Sequence, residues 1–318
     1  MPPAVLTLTA NLLAENTFTL AAAPALGRTQ RATTTSFQAG GKGLNVAKML
    51  TRLGTPALAL TAAGGPAGQE CSTWAARLPW RIELLPTGTP TRRGLVVRGP
   101  DPAAAPETTF LGPDNPLCAE AFATLAARVQ ATPPETIVAL CGSVPGWASP
   151  AAAPLRSALA HRAANGRLVV DTYGAPLVEL ATRPAELIKI NADEFAALSG
   201  SAPAQATSLD ALQAIARRSP ARAWIVSDGP GPVHLVRPDQ PVLTLNPPAV
   251  HEVSATGSGD VLLAGLLHAR FTRGCDWPEA LAYALPLASA NAAHPGVADF
   301  DLTGMELAAS APGPKLNP

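Results

Sequence analysis

The sequence predicts an α/β fold: a three-layer αβα domain around a mostly parallel sheet, with a small β-sheet lid. Three observations carry this. Short apolar runs alternate with helix-length segments, the pattern of βαβ units. Polar and glycine-rich residues recur where those runs end, which is the rim on which open parallel sheets collect ligands. Two stretches break the alternation with β-prone runs and no helix between them.

Val5-Leu6-Thr7-Leu8-Thr9 alternates as a strand does and opens the chain's order. Residues 11–39, which include Thr33-Thr34-Thr35-Ser36-Phe37, form the first lid stretch. A helix over Gly43 to Leu53 and a strand over Ala57 to Thr61 follow. Residues 87–111, with Gly94-Leu95-Val96-Val97-Arg98, return to the lid. Helices are then expected over Leu117 to Ala131, Pro150 to Asn165 and Leu209 to Arg218. Strands are expected over Thr136 to Cys141, Arg167 to Asp171, Leu187 to Ile190 and Ala223 to Ser227. The core is therefore 1–10, 40–86 and 112–318, and the lid is 11–39 with 87–111. Gly142-Ser143, Asp171, Asn191 and Ser227 fall on one rim. The tail 311–318, with three prolines, is expected to be disordered, and no internal repeat is found.

At 318 residues and 47% hydrophobic content, the chain can build a sizeable core. Its formal net charge of zero argues against a general nucleic-acid binder, which carries a basic excess. Cys71, Cys118, Cys141 and Cys275 have no C-x-x-C spacing and are read as buried free thiols rather than a zinc site or disulfide frame. The five histidines likewise lack ligand spacing. The N-terminal stretch has no basic residue before Arg28 and makes a poor signal peptide, and no run of about 20 apolar residues occurs. A soluble, cytoplasmic protein with no membrane partner is expected.

Two segments carry chemistry. Thr256-Gly257-Ser258-Gly259-Asp260 opens an apolar helix with an acid in its first turn. Free amides and the positive end of the helix dipole suit a phosphoryl group, and Asp260 is placed to take a proton. An acid merely capping a structural helix is the alternative, and it stays open. Gly40-Gly41-Lys42-Gly43-Leu44-Asn45 offers a charge and an amide to a polyol or its phosphate. It is not a Walker A loop, because Lys42 is followed by Gly43. Nor does Gly257-Ser258-Gly259 extend to GxGxxG, because Leu262 takes the last glycine position.

In order and at opposite ends of the chain, these segments resemble the two signature regions of the ribokinase-like (PfkB) carbohydrate kinases. Cys141-Gly142-Ser143-Val144-Pro145-Gly146, Val169-Val170-Asp171-Thr172, Lys189-Ile190-Asn191-Ala192-Asp193-Glu194 and Ile225-Val226-Ser227-Asp228-Gly229 resemble the same family. With Thr91-Arg92, the set is similar to the branch that phosphorylates fructose-1-phosphate, tagatose-6-phosphate or fructose-6-phosphate. The resemblance implies an ATP-dependent kinase. Asp260 would be the general base, Gly257, Ser258 and Gly259 the anion hole, and Lys42 a catalytic cation. Glu15, Gly40, Gly41, Asn45, Arg92 and Ser143 would hold the acceptor, Arg92 pairing with its phosphate. Lys189, Asn191, Glu194, Ser227 and Gly229 would hold the nucleotide, with Asn191 and Glu194 ordering Mg2+ through water. Asn191 and Glu194 also read as a plain capping box. The resemblance further implies a homodimer through the lid.

An aspartate at a helix start is expected to stay ionised and so be a weak base that accepts its proton late. Substrate choice is where the chain departs from the family. Asn11-Leu12-Leu13-Ala14-Glu15 has Glu15 where an aspartate is usual, and Gly94 replaces an asparagine. A kinase for an unphosphorylated sugar or nucleoside, or a non-catalytic sugar-phosphate-binding regulator, are the readings left beside the phosphosugar kinase.

Overall fold

A computed structural model of the chain describes residues 4–100, 107–200, 208–303 and 305, so the expected disorder of 311–318 falls outside the described residues. Its main sheet has nine strands among these residues. From one edge they run β13 (Leu243–Leu245), β12 (Val233–Val236), β11 (Trp224–Ser227), β10 (Leu187–Asn191), β9 (Leu168–Asp171), β8 (Ile137–Cys141), β1 (Val5–Thr9), β4 (Ala57–Ala63) and β5 (Ile82–Pro86). Every neighbouring pair from β11 to β5 is parallel, and β12 and β13 add antiparallel to the far edge. The six strands expected from the apolar runs all form. The three that escaped notice are β5, β12 and β13, which are short and at the sheet's two sides. Edge strands such as β5 and β13 are only half-buried, so their apolar pattern is weak.

Helices cover both faces of the sheet. Alternate strand residues (Val5, Ala57, Ala139, Val169, Leu187, Ile225) pack under α1 (Lys42–Arg52), α2 (Gly65–Ala75), α8 (Ser258–Phe271) and α9 (Trp277–Ala292). Their neighbours (Leu6, Leu58, Leu140, Val170, Ile188, Trp224) pack on the other side. There they meet α3 (Ala119–Gln130), α4 (Ala153–Ala164), α5 (Ala175–Leu180), α6 (Ala192–Ser199) and α7 (Leu209–Arg218). Two apolar cores separated by one sheet make the three-layer domain. The alternation in β1 does not mean a wet face. Thr7 donates to the carbonyl of Gly43 at 2.7 Å and Thr9 Oγ1 accepts from the Gly43 amide at 3.1 Å, so the polar face is buried against the first turn of α1.

A second sheet, ordered β3 (Ala32–Gly40), β2 (Leu13–Leu20), β6 (Arg92–Arg98) and β7 (Thr108–Leu111), is built from the two stretches that lack helices. β2 and β6 run parallel, and the other two pairings are antiparallel. β3 ends at Gly40 and α1 begins at Lys42, so only Gly41 separates the small sheet from α1. Its φ of +156° suits glycine, and a Cβ there would stand 2.8 Å from Thr9 Cγ2.

Candidate active site

The carboxyl ends of β8, β9, β10 and β11 put Cys141, Asp171, Asn191 and Ser227 on one rim, Cys141 beside Asp171 and Asn191 beside Ser227. Asp171 ends a fully buried strand, and such a charge persists only when paired. Two ammonium groups pair with it: Lys42 Nζ at 2.8 Å from Oδ1, and Lys189 Nζ at 2.9 Å from Oδ2. Burial pushes the Asp171 carboxyl up, but Lys189 and Lys42 prevail and hold it below the ordinary aspartate range. Lys42 also loses hydration, yet Asp171, Glu194 (3.6 Å) and Asp260 raise its pKa well above that of a free lysine. Lys42 therefore keeps its proton near neutrality and acts as fixed positive charge.

Asp260 lies in the first turn of α8 and is 6% exposed. Asn45, one turn into α1, donates to its Oδ2 at 2.8 Å. Burial, then the charge of Asp171, pushes its pKa up to about 6, against the pull of Lys42, Asn45 and Lys189. The expectation of an ordinary weak base is thereby corrected: desolvation outweighs the helix dipole, and Asp260 is a stronger base than an exposed aspartate.

The glycines before Asp260 are needed for a reason other than close approach to a ligand. Gly257 has φ +77°, and a Cβ on it would lie 2.3 Å from Val297; a Cβ on Gly259 would lie 2.8 Å from Lys189 Nζ. The turn is thus packed between the 297–300 loop and the Lys189 ammonium, which adds positive charge to the helix N-terminus. The Ser258 amide is drawn back to the carbonyl of Ala255 at 3.2 Å, leaving Gly257 and Gly259 as the amides without such a bond among the described residues. Asn291, fully buried, donates to the Thr256 carbonyl and to Ser258 Oγ and accepts from the Ala298 amide. It fixes the turn from below, and nothing in its local sequence marks it. Lys48 donates to the Val297 carbonyl at 2.7 Å and Arg52 to those of Ala298 and Phe300 at 2.6 Å, tying α1 to the same loop.

In the small sheet, Glu15 and Gly94, the two departures from the expected pattern, are register partners on β2 and β6. Glu15 accepts from Gln38 and reaches over Gly40, while Leu13 covers Gly94 so closely that a Cβ there would stand 3.0 Å from its Cδ1. Arg92 does not point at an empty subsite: its Nη1 donates to Asp114 Oδ1 at 2.8 Å. Asn11 Nδ2 donates to the same oxygen and to Ser143 Oγ, both at 2.8 Å. Asp114 is a site neighbour that the motifs did not reveal, because its partners Arg92 and Asn11 lie 22 and 103 residues away, whereas Asn11 opens the altered N-terminal motif. Asn191 and Glu194 form the reciprocal capping box of α6, with bonds of 2.8 and 2.9 Å. Ser227 lies next to Asn191, and Gly229, φ +51°, opens the turn that follows β11. Glu107, beside β7, accepts from the hydroxyl of Thr256, so the small sheet touches the Gly-Ser-Gly turn. Cys71, Cys141 and Cys275 are buried free thiols, but Cys118, on the exposed start of α3, is not.

A buried carboxylate beside a helix N-terminus, with Lys42 and Lys189 behind it, is an arrangement able to take a proton from a hydroxyl next to a bound anion. The pfkB family carbohydrate kinase model matches residues 14–303, and the chain belongs to that family of kinases. It is 33% identical over 262 residues to a 1-phosphofructokinase of Rhodobacter capsulatus, covering 78% of each chain. To the ATP-dependent 6-phosphofructokinase isozyme 2 of Escherichia coli K12 it is 28% identical over 239 residues, 74% of this chain and 76% of that one. The fold is similar to that of the E. coli phosphofructokinase-2 crystallised with fructose-6-phosphate: TM-score 0.79, 24% identity, 91% of this chain and 93% of the other. Among the described residues no helix is long and apolar enough to cross a membrane.

Proposed function

We propose that the protein transfers the γ-phosphoryl group of ATP to a hydroxyl of a ketohexose phosphate, with Asp260 as general base. The observation that carries this is Asp260 itself, buried at the mouth of a glycine turn, held by Asn45, and tuned toward neutrality. As the hydroxyl oxygen bonds to phosphorus, its proton passes to Asp260 and the bond to ADP breaks. The Gly257 and Gly259 amides, with Lys189 behind them, balance the charge on the transferring group, while Lys42 is held by Asp171 and Glu194 to face it. Glu15, Gly40, Gly41 and Asn45 orient the acceptor, with Arg92 and Ser143 at its phosphate. Ser227 and Gly229 border the nucleotide.

The donor set fits a magnesium ion held through water: each of Glu194 and Asn191 already spends an oxygen on the α6 cap, so they would offer their remaining acceptor capacity to waters of such an ion. When bound, such an ion neutralises charge on the nucleotide phosphates. A homodimer through the small sheet and a cytoplasmic location complete the reading. The Arg92–Asp114 pair is the one observation that favours an unphosphorylated acceptor, since it neutralises the cation a phosphate would need.

The test is ADP release with fructose-1-phosphate, fructose-6-phosphate, tagatose-6-phosphate, ribose, fructose and adenosine, with Asp260→Asn as control. Turnover on a phosphosugar that vanishes in the control supports the proposal. Turnover only on ribose, fructose or adenosine replaces it, and ligand-induced stabilisation without ADP would indicate a binding protein.

A further inference from the structure

We propose that Asp114 is an internal occupant of the acceptor's anion subsite, a carboxylate that a substrate phosphate must displace from Arg92. The inference rests on the reading that Arg92 serves the acceptor's phosphate. Asp114 Oδ1 takes hydrogen bonds from the Arg92 guanidinium and the Asn11 amide, both at 2.8 Å. Asn11 also donates to the Ser143 hydroxyl, so that two donors, from β6 and the end of β1, converge on one anion and Ser143, past the end of β8, stands one hydrogen bond further out. The guanidinium is not fully used: its Nε is buried and has no partner among the described residues. A phosphate carries more acceptor oxygens than the single carboxylate oxygen that Arg92 and Asn11 now share.

The two sides of the pair differ in freedom. The Arg92 side chain is 15% exposed and Asp114 48% exposed, on the loop that follows β7. Arg92 is therefore the fixed part of the subsite and Asp114 the part that can swing into water. Because the carboxylate competes for the same donors, it lowers the apparent affinity for a phosphorylated acceptor by the fraction of molecules in which it is docked.

The experiment measures KM for whichever phosphosugar is turned over, KM for ATP, and competition by inorganic phosphate, in the parent, Asp114→Asn, Asp114→Gly and Arg92→Met. Removing the charge at 114 is expected to lower the phosphosugar KM by about fivefold, the upper end for a partly exposed ion pair. Inorganic phosphate should inhibit more strongly in parallel, while KM for ATP stays as in the parent. Arg92→Met should raise the phosphosugar KM, and adding Asp114→Asn to it should bring no gain. A phosphosugar KM that is unchanged or higher in both Asp114 variants, with Arg92→Met still harmful, overturns the proposal and makes Asp114 a support for Arg92. An Arg92→Met variant with the parent's phosphosugar KM instead removes the underlying reading of Arg92, and the proposal falls with it.

Discussion

Asp260 is a residue whose chemistry works against the stability of the fold. Its pKa of about 6 means that the folded chain takes up a proton between roughly pH 4 and 6 that the unfolded chain, titrating near 3.8, does not. Stability from this group is whole below the unfolded value and is lost as pH rises through 6, so at pH 7.5 the ionised carboxylate costs up to about 3 kcal/mol. Asp260→Asn should therefore lower turnover by roughly 10²-fold or more while raising the melting temperature at pH 7.5. Thermal scans at pH 7.5 and pH 4.5 should show that gain shrinking in acid, and the parent's kcat should climb with pH through about 6. A variant that loses activity and stability together would mean that Asp260 is a structural cap. Asp171 is the opposite case. It is the counter-ion of two buried or half-buried ammonium groups, so Asp171→Asn should destabilise by about 3–5 kcal/mol in denaturant titrations, the cost of leaving buried charge unpaired.

At the scale of elements, the Gly-Ser-Gly turn and α8 show what local sequence can and cannot convey. Gly257 and Asp260 were legible because a glycine N-cap and a first-turn acid are local signals, and α8 follows them at once. Asn291 was not: it reaches the turn from the end of α9, 35 residues away, and looks like any amide in an apolar helix. Strands β1, β8, β9 and β10 were legible from buried runs, and the rim residues followed from where those runs stop. Asn191 and Glu194 show a harder limit, since one spacing encodes both a cap and a metal-ordering pair; the cap forms, and it leaves room for the other role only through water. The glycine turn yields a contrast of variants. Gly257→Ala needs a left-handed backbone and meets Val297 on a loop tied down by Lys48, Arg52 and Asn291, so it should cost about 1–3 kcal/mol in urea melts. Gly259→Ala meets only the tip of Lys189, which can move, so its loss should fall on kcat more than on stability.

At the scale of the whole molecule, the small sheet leaves part of one apolar face and the edge strand β7 exposed. Its register puts Phe18 beside Val97, and Phe37 and Phe110 in the row of Asn16 and Leu95, so Phe18, Phe37, Leu95, Val97 and Phe110 share one face by the two-residue period of a strand. The opposite face carries Gly94 with Glu15 and Arg92, the two proposed above to serve the acceptor. Phe18 is 37% exposed, Phe110 53%, and the edge strand β7 is exposed throughout. An apolar face that ends on an open edge is a surface that associates. A second copy is the occupant we propose, because the same face then covers itself about a twofold axis. Glu107 reaches from this sheet to Thr256, and Gly41 links it to α1, so the sheet's position bears on both the acceptor and the phosphoryl turn. The parent should thus sediment at about twice the 32.4 kDa chain mass, and Phe110→Glu should sediment as a single chain. That variant should keep its secondary structure by circular dichroism yet lose acceptor affinity, a higher phosphosugar KM reporting a sheet no longer held in place. If Phe110→Glu retains the parent's mass, the pairing face lies elsewhere; if the parent itself is a single chain, the apolar face has another partner.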